Sequence, residues 1–99
     1  MIKVTFNKNI KAAFMFWNNK ELRVRDALFN AGDDIPDIEL IEVYDDGWCV
    51  FHWPADENST CDCLTDVKRD DFDFTMLGCD VENKGNKKLY TTTKVAIIL

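Results

Sequence analysis

Apolar and polar residues alternate at the start of the chain, where Lys3 and Thr5 separate Ile2, Val4 and Phe6. A period of two marks a strand with one buried face. After Asn7 and Asn9, either suited to cap a helix, Ile10, Ala13, Phe14 and Trp17 fall at i, i+3, i+4 and i+7. That spacing predicts a helix of roughly two to three turns. Leu22 and Val24 fit a short strand or a helix, and the run from Asp26 to Gly32 reads as one or two helical turns with Gly32 just past the end. The segment Asp33 to Asp37 reads as a linker, because Pro36 disfavours helical backbone at Ile35 and lacks an amide hydrogen for a ladder.

The clearest supersecondary signal is a β-hairpin: Ile38 to Tyr44, then Asp45-Asp46-Gly47, then Trp48 to Trp53. A three-residue loop with Gly47 in the left-handed conformation sets Val43 opposite Cys49 and Ile41 opposite Phe51. The other face then carries Leu40, Glu42, Tyr44, Trp48, Val50 and His52. A two-residue loop would slip the register and mix the faces, so the three-residue loop is the better reading.

Further along, Pro54 to Thr60 reads as an exposed loop, Leu64 to Asp71 as a short helix, and Phe72 to Met76 as a strand. A polar turn from Glu82 to Lys87 leads into a closing strand, Leu89 to Leu99. Together these elements predict an α+β fold, with one or two short helices packed on a mainly antiparallel sheet of four to five strands, forming a single globular domain over residues 1–99. Its expected core is Ile2, Val4, Phe6, Phe14, Trp17, Leu28, Ile41, Val43, Phe51, Phe72, Phe74 and Ile97.

Composition agrees with a packed domain. The 99 residues are 46% hydrophobic and 12% aromatic, which excludes a disordered or low-complexity chain. Net charge is −6, but the charges are unevenly spread. Residues 1–32 carry six bases and two acids, residues 33–82 sixteen acids against Lys68 and Arg69, and residues 83–99 four lysines. An acidic middle segment repels nucleic acid and attracts a basic protein surface or a cation. Because 13 of the 18 acids are aspartate, the competing reading is that many simply punctuate turns. The chain shows neither a cationic-then-apolar leader nor an apolar run long enough to cross a bilayer, so a cytoplasmic protein with no membrane contact is expected. Reduced cysteines follow from that compartment.

Candidate chemistry is sparse. Cys49, His52, Cys61, Cys63 and Cys79 offer the donor types that zinc uses, but Cys49 and His52 lie three apart in a strand and so on opposite faces. The alternating Asp56, Asn58, Thr60 and Asp62 lack the glycine and glutamate of a calcium loop. His52, the single histidine, has no neighbouring nucleophile signature, and the four glycines are too dispersed to cradle a phosphate. The sequence therefore predicts no enzyme and no cofactor.

A binding role remains: a small acidic protein-binding module that occupies the basic, nucleic-acid-binding surface of a partner protein. Tyr44, Asp45, Asp46, Trp48, His52, Asp70, Asp71 and Asp73 are the candidate contact residues, combining aromatic anchors with steering charge. In size and charge the chain resembles the small acidic inhibitors of phages and mobile elements, some of which mimic DNA. The alternatives are a small zinc-binding domain, or a subunit of a larger assembly whose C-terminal strand pairs with a neighbour.

Overall fold

The computed structural model describes residues 2–18, 21–53, 62–75 and 79–92. Ten strands account for most of them: β1 (Ile2–Phe6), β2 (Ile10–Asn18), β3 (Glu21–Phe29), β4 (Asp34–Ile38), β5 (Leu40–Tyr44), β6 (Trp48–His52), β7 (Asp62–Lys68), β8 (Phe72–Thr75), β9 (Cys79–Lys84) and β10 (Lys87–Thr92). One 3₁₀ turn, Arg69–Asp71, joins β7 to β8, and no α-helix occurs among the described residues. The α+β expectation is thereby overturned. The strands form two antiparallel sheets, a small one in the order β4-β1-β8 and a large one in the order β3-β2-β7-β6-β5-β10-β9.

The error at Ile10 to Trp17 has a definite cause. Ile10, Ala12, Phe14 and Phe16 share one face at period two, and the alternate positions Ala13, Met15 and Trp17 are apolar as well. A run that is apolar on both faces satisfies a helical and a strand period together. Its partners decide: β3 pairs along all of β2, from Ile10↔Phe29 to Asn18↔Glu21, and β7 pairs on the other side. The expected helical turns from Asp26 to Gly32 are instead the end of β3 and a turn in which Gly32 has φ 94°. The expected linker containing Pro36 is β4, an edge strand, where a missing amide hydrogen breaks no ladder. The polar turn narrows to Gly85-Asn86, because β9 runs to Lys84 and β10 starts at Lys87.

The expected short helix from Leu64 to Asp71 is instead the end of β7 and the 3₁₀ turn, and two bulges explain why its spacing, like that of the supposed linker, hid a strand. Ile35 and Ile38 on β4, and Leu64 and Val67 on β7, are three apart, a spacing that should place them on opposite faces of a flat strand. All four are nonetheless buried. Between them Asp37 and Asp66 take φ 63° and 64°, and the registers of β1/β4 and β6/β7 shift at those points. The extra residue turns the strand so that both apolar side chains face inward, and aspartate tolerates the left-handed conformation better than most residues.

The core lies between the sheets. Ile2, Val4, Phe6, Ile35, Ile38 and Phe72 from the small sheet meet Ala12, Ile41, Cys49, Phe51, Leu64 and Val67 from the large one in a single cluster. Phe51 and Phe72 meet edge to face at 5.0 Å, and Phe6 stacks on Phe29 at 4.7 Å. Of the expected core, Phe14 and Val43 pack at its margin, while Leu28 is 76% exposed on the outward face of β3. Ile97 and the side chains of Trp17 and Phe74 lie outside the described residues, as does the expected loop Pro54 to Thr60.

Truncating Phe51 to alanine should therefore cost about 3–5 kcal/mol in chemical denaturation, whereas Leu28→Ser should change stability by less than about 0.5 kcal/mol.

Candidate functional site

The β5–β6 hairpin organises the site. Gly47 has φ 93° and its amide donates to the Tyr44 carbonyl at 2.9 Å, closing the three-residue loop. Val43 pairs with Cys49 and Ile41 with Phe51, so the register read from the sequence holds. Leu40, Glu42, Tyr44, Trp48, Val50 and His52 consequently share the outer face of the large sheet.

The loop is held on both sides. The Arg69 amide donates to the Gly47 carbonyl at 2.8 Å, and the Asp45 amide to the Asn86 carbonyl at 2.9 Å. Asp46 Oδ1 accepts from the Trp48 amide at 3.1 Å. These bonds bring exposed Asp45, Asp46 and Asp70 to one end of the sandwich beside Trp48, which is 43% exposed. The Lys68 ammonium stands 5.1 Å above the Trp48 ring and the Lys87 ammonium 5.6 Å from the Tyr44 ring, both within cation–π range.

Asp71 and Asp73 are placed differently. Asp71 accepts from the Lys68 amide at 3.0 Å and pairs with the Lys8 ammonium at 3.3 Å, its side chain 14% exposed, so it ties the 3₁₀ turn to the start of the chain. Asp73 lies opposite Thr5 on β8. With Phe72 facing the core, Asp73 faces out from the small sheet, away from Trp48 and His52.

His52 belongs to a group that the sequence did not single out. Its Nε2–H tautomer donates to Glu42 Oε2 at 2.8 Å, and Lys87 Nζ donates to Glu42 Oε1 at 2.6 Å. Partial burial opposes ionisation of Glu42, but the hydrogen bonds from Lys87 and His52 prevail, and its pKa falls below the ordinary carboxylate value. The same bond to Glu42 raises the pKa of Lys87. Glu42 and His52 were legible as residues of one hairpin face; Lys87 joins them through the long-range pairing Lys87↔Tyr44.

Among the described residues Cys49 lies apart from His52 and Cys63. Cys49 faces the core, where burial pushes its thiol up to about 12, and its Sγ–H donates to the Gly47 carbonyl at 3.7 Å. His52 faces outward, with Cys63 directly across on β7. Cys79 lies on edge strand β9, while its side chain and all of Cys61 fall outside the described residues. Among the described residues no three His, Cys, Asp or Glu side chains form a group able to hold a metal ion, and no helix is long and apolar enough to cross a membrane.

Comparison with known proteins yields no matching family model, no curated relative and no matching solved structure. The functional reading rests on this chain's own residues.

Two outcomes follow from the geometry. A carboxylate whose pKa is depressed by folding contributes stability above its unfolded value of about 4.3 and loses it as pH falls through the folded value. Glu42→Gln should therefore flatten the fall in stability seen by denaturant titration as pH drops below about 4.3, with the parent chain losing more. Cys49 should resist iodoacetamide at pH 8 in the folded chain and react once denaturant unfolds it, as read by peptide mass spectrometry, because the thiolate is the reactive form and burial suppresses it.

Proposed function

We propose that the chain is a protein-binding module that docks the Asp45-Asp46-Gly47 end of its sandwich on a basic surface of a partner protein, with Trp48 as the anchor. The observation that carries this reading is the bond from the Arg69 amide to the Gly47 carbonyl. It joins two acidic segments distant in sequence, Asp45-Asp46 and Asp70, beside a large half-exposed aromatic side chain. Carboxylates around an aromatic anchor steer a basic partner and then hold it by desolvated contact. A surface that binds nucleic-acid phosphate has the matching charge, so occupying it would make this chain an inhibitor acting in the cytoplasm.

The role is one of binding rather than catalysis. His52, the single histidine, has its Nε2 engaged by Glu42 on the outer face of the sheet. Tyr44 lies across the hairpin from the anchor and His52 further along the same face, whereas Asp71 supports the turn from behind.

Other acids are taken up by the fold. Asp34 accepts from the Thr5 hydroxyl at 2.7 Å and pairs with Lys3 at 3.3 Å, and Asp33 Oδ2 accepts from the Asn30 amide at 2.7 Å. The acidic excess of the middle segment is thus distributed, and the proposal rests on one end of the sandwich instead of a single continuous acidic face.

The test uses a partner captured from the native cytosol. Binding should weaken as salt rises, since screening confines exposed charges to about 8 Å at physiological ionic strength. Replacing Asp45 and Asp46 with lysine should mainly slow association, and Trp48→Ala should mainly speed dissociation, in surface plasmon resonance. An affinity indifferent to salt and to both changes would overturn the proposal.

A further inference from the structure

We propose that β3 is a self-association edge, along which a second copy of the chain pairs antiparallel and joins the two large sheets into one. The strand is nine residues long and ends the large sheet, with β2 its single strand neighbour among the described residues. Unpaired backbone amides and carbonyls along such an edge are a template for another strand. Its outward face carries Leu22, Val24 and Leu28, 49%, 62% and 76% exposed, interrupted by Asp26, which pairs with Lys11 at 3.3 Å. Met15 lies beside Val24 on β2 and extends that face inward across the sheet.

The first five residues of β3, Glu21 to Arg25, complement themselves. Twofold antiparallel pairing keeps side chains of one face opposite side chains of the same face. With the axis at Arg23, Leu22 lies opposite Val24 of the second copy and Glu21 opposite Arg25, each pair occurring twice. Arg23 then meets its own copy on the axis, flanked by Glu21 of its own strand at 3.0 Å. Every axis near this point brings arginines together. An axis at Val24 does so twice and sets Asp26 against Leu22, and one at Arg25 sets Asp26 against Val24. The axis at Arg23 leaves one arginine pair, beside Glu21, and no carboxylate against an apolar side chain. Opposite charges and apolar pairs across strands are the units that stabilise a sheet.

The other end of the large sheet is protected. On β9, Asp80 and Glu82 are exposed and project from the outer face, so a second β9 would meet carboxylate with carboxylate. Charged residues of that kind are the usual guard on an edge. The sequence had suggested pairing through the C-terminal strand from Leu89 to Leu99; its described part, in β10, is flanked by β5 over Lys87–Thr91 and by β9 over Lys87–Thr92, and residues 93–99 lie outside the described residues.

Sedimentation equilibrium of the full chain over a range of concentrations tests this. The expected result is a reversible rise from 11.5 kDa to twice that mass. Val24→Lys should leave a folded monomer, with folding checked by circular dichroism. Arg25→Glu changes two symmetry-related pairs at once and should weaken the dimer about tenfold. Combining it with Glu21→Arg should restore the dimer, because opposite charges again face each other. A mass fixed at 11.5 kDa at every concentration, or a dimer that Val24→Lys leaves intact, would overturn the proposal, as would failure of the double variant to recover.

Discussion

The edge-to-face contact of Phe51 with Phe72, at 5.0 Å and 89°, joins the middle of the large sheet to the edge of the small one, and much of the molecule follows from that closure. Three strands cover the inner face of seven. Beneath the cover, Ile41, Cys49, Phe51, Leu64 and Val67 are buried. Beyond it, positions on the same inner face are left open: Val81 on β9 is 50% exposed, and β3 carries Arg23 and Arg25 there. Arg25 lies 5.5 Å from the Phe16 ring, so a cation covers an aromatic face where the small sheet no longer does. The outer face of the large sheet carries Trp48, Tyr44 and the half-buried Lys87–Glu42–His52 group.

The aspartates have a structural meaning that composition concealed. Asp37 and Asp66 sit at bulges, Asp33 and Asp46 accept hydrogen bonds from turn amides, and Asp71 holds the 3₁₀ turn. Short carboxylate side chains suit such positions because they hydrogen-bond nearby backbone and tolerate left-handed geometry. The acids near Trp48 gain their place from the same turns. The loop between β5 and β6 and the 3₁₀ turn after β7 are docked by backbone hydrogen bonding, and their exposed carboxylates are thereby held at one end of the sandwich.

The two proposed surfaces differ in location and physics. At the Asp45-Asp46-Gly47 end, charge surrounds one aromatic side chain, which suits an encounter steered over a distance. Along β3, backbone hydrogen-bonding groups and a strip of aliphatic side chains suit pairing in register with another strand. The proposed docking end and the proposed pairing edge use different side chains, so the two modes are compatible on one molecule.

Local pattern determined β1 and the β5–β6 hairpin, including the pairing of Val43 with Cys49 and the outward placing of Tyr44, Trp48 and His52. There the period-two alternation and a glycine-containing turn act within about ten residues, and few alternatives compete. Tertiary structure decided the rest. The segment from Ile10 to Asn18 is apolar on both faces and became a strand because β3 and β7 lie ready to pair with it. Ile35 with Ile38, and Leu64 with Val67, face inward together through bulges that no spacing rule announces. Glu42 meets Lys87, and Gly47 meets Arg69, across sheet neighbours distant in sequence. Pairing between strands depends on which backbone hydrogen-bonding groups are brought together, and that information resides in the assembled sheet rather than in any stretch of chain.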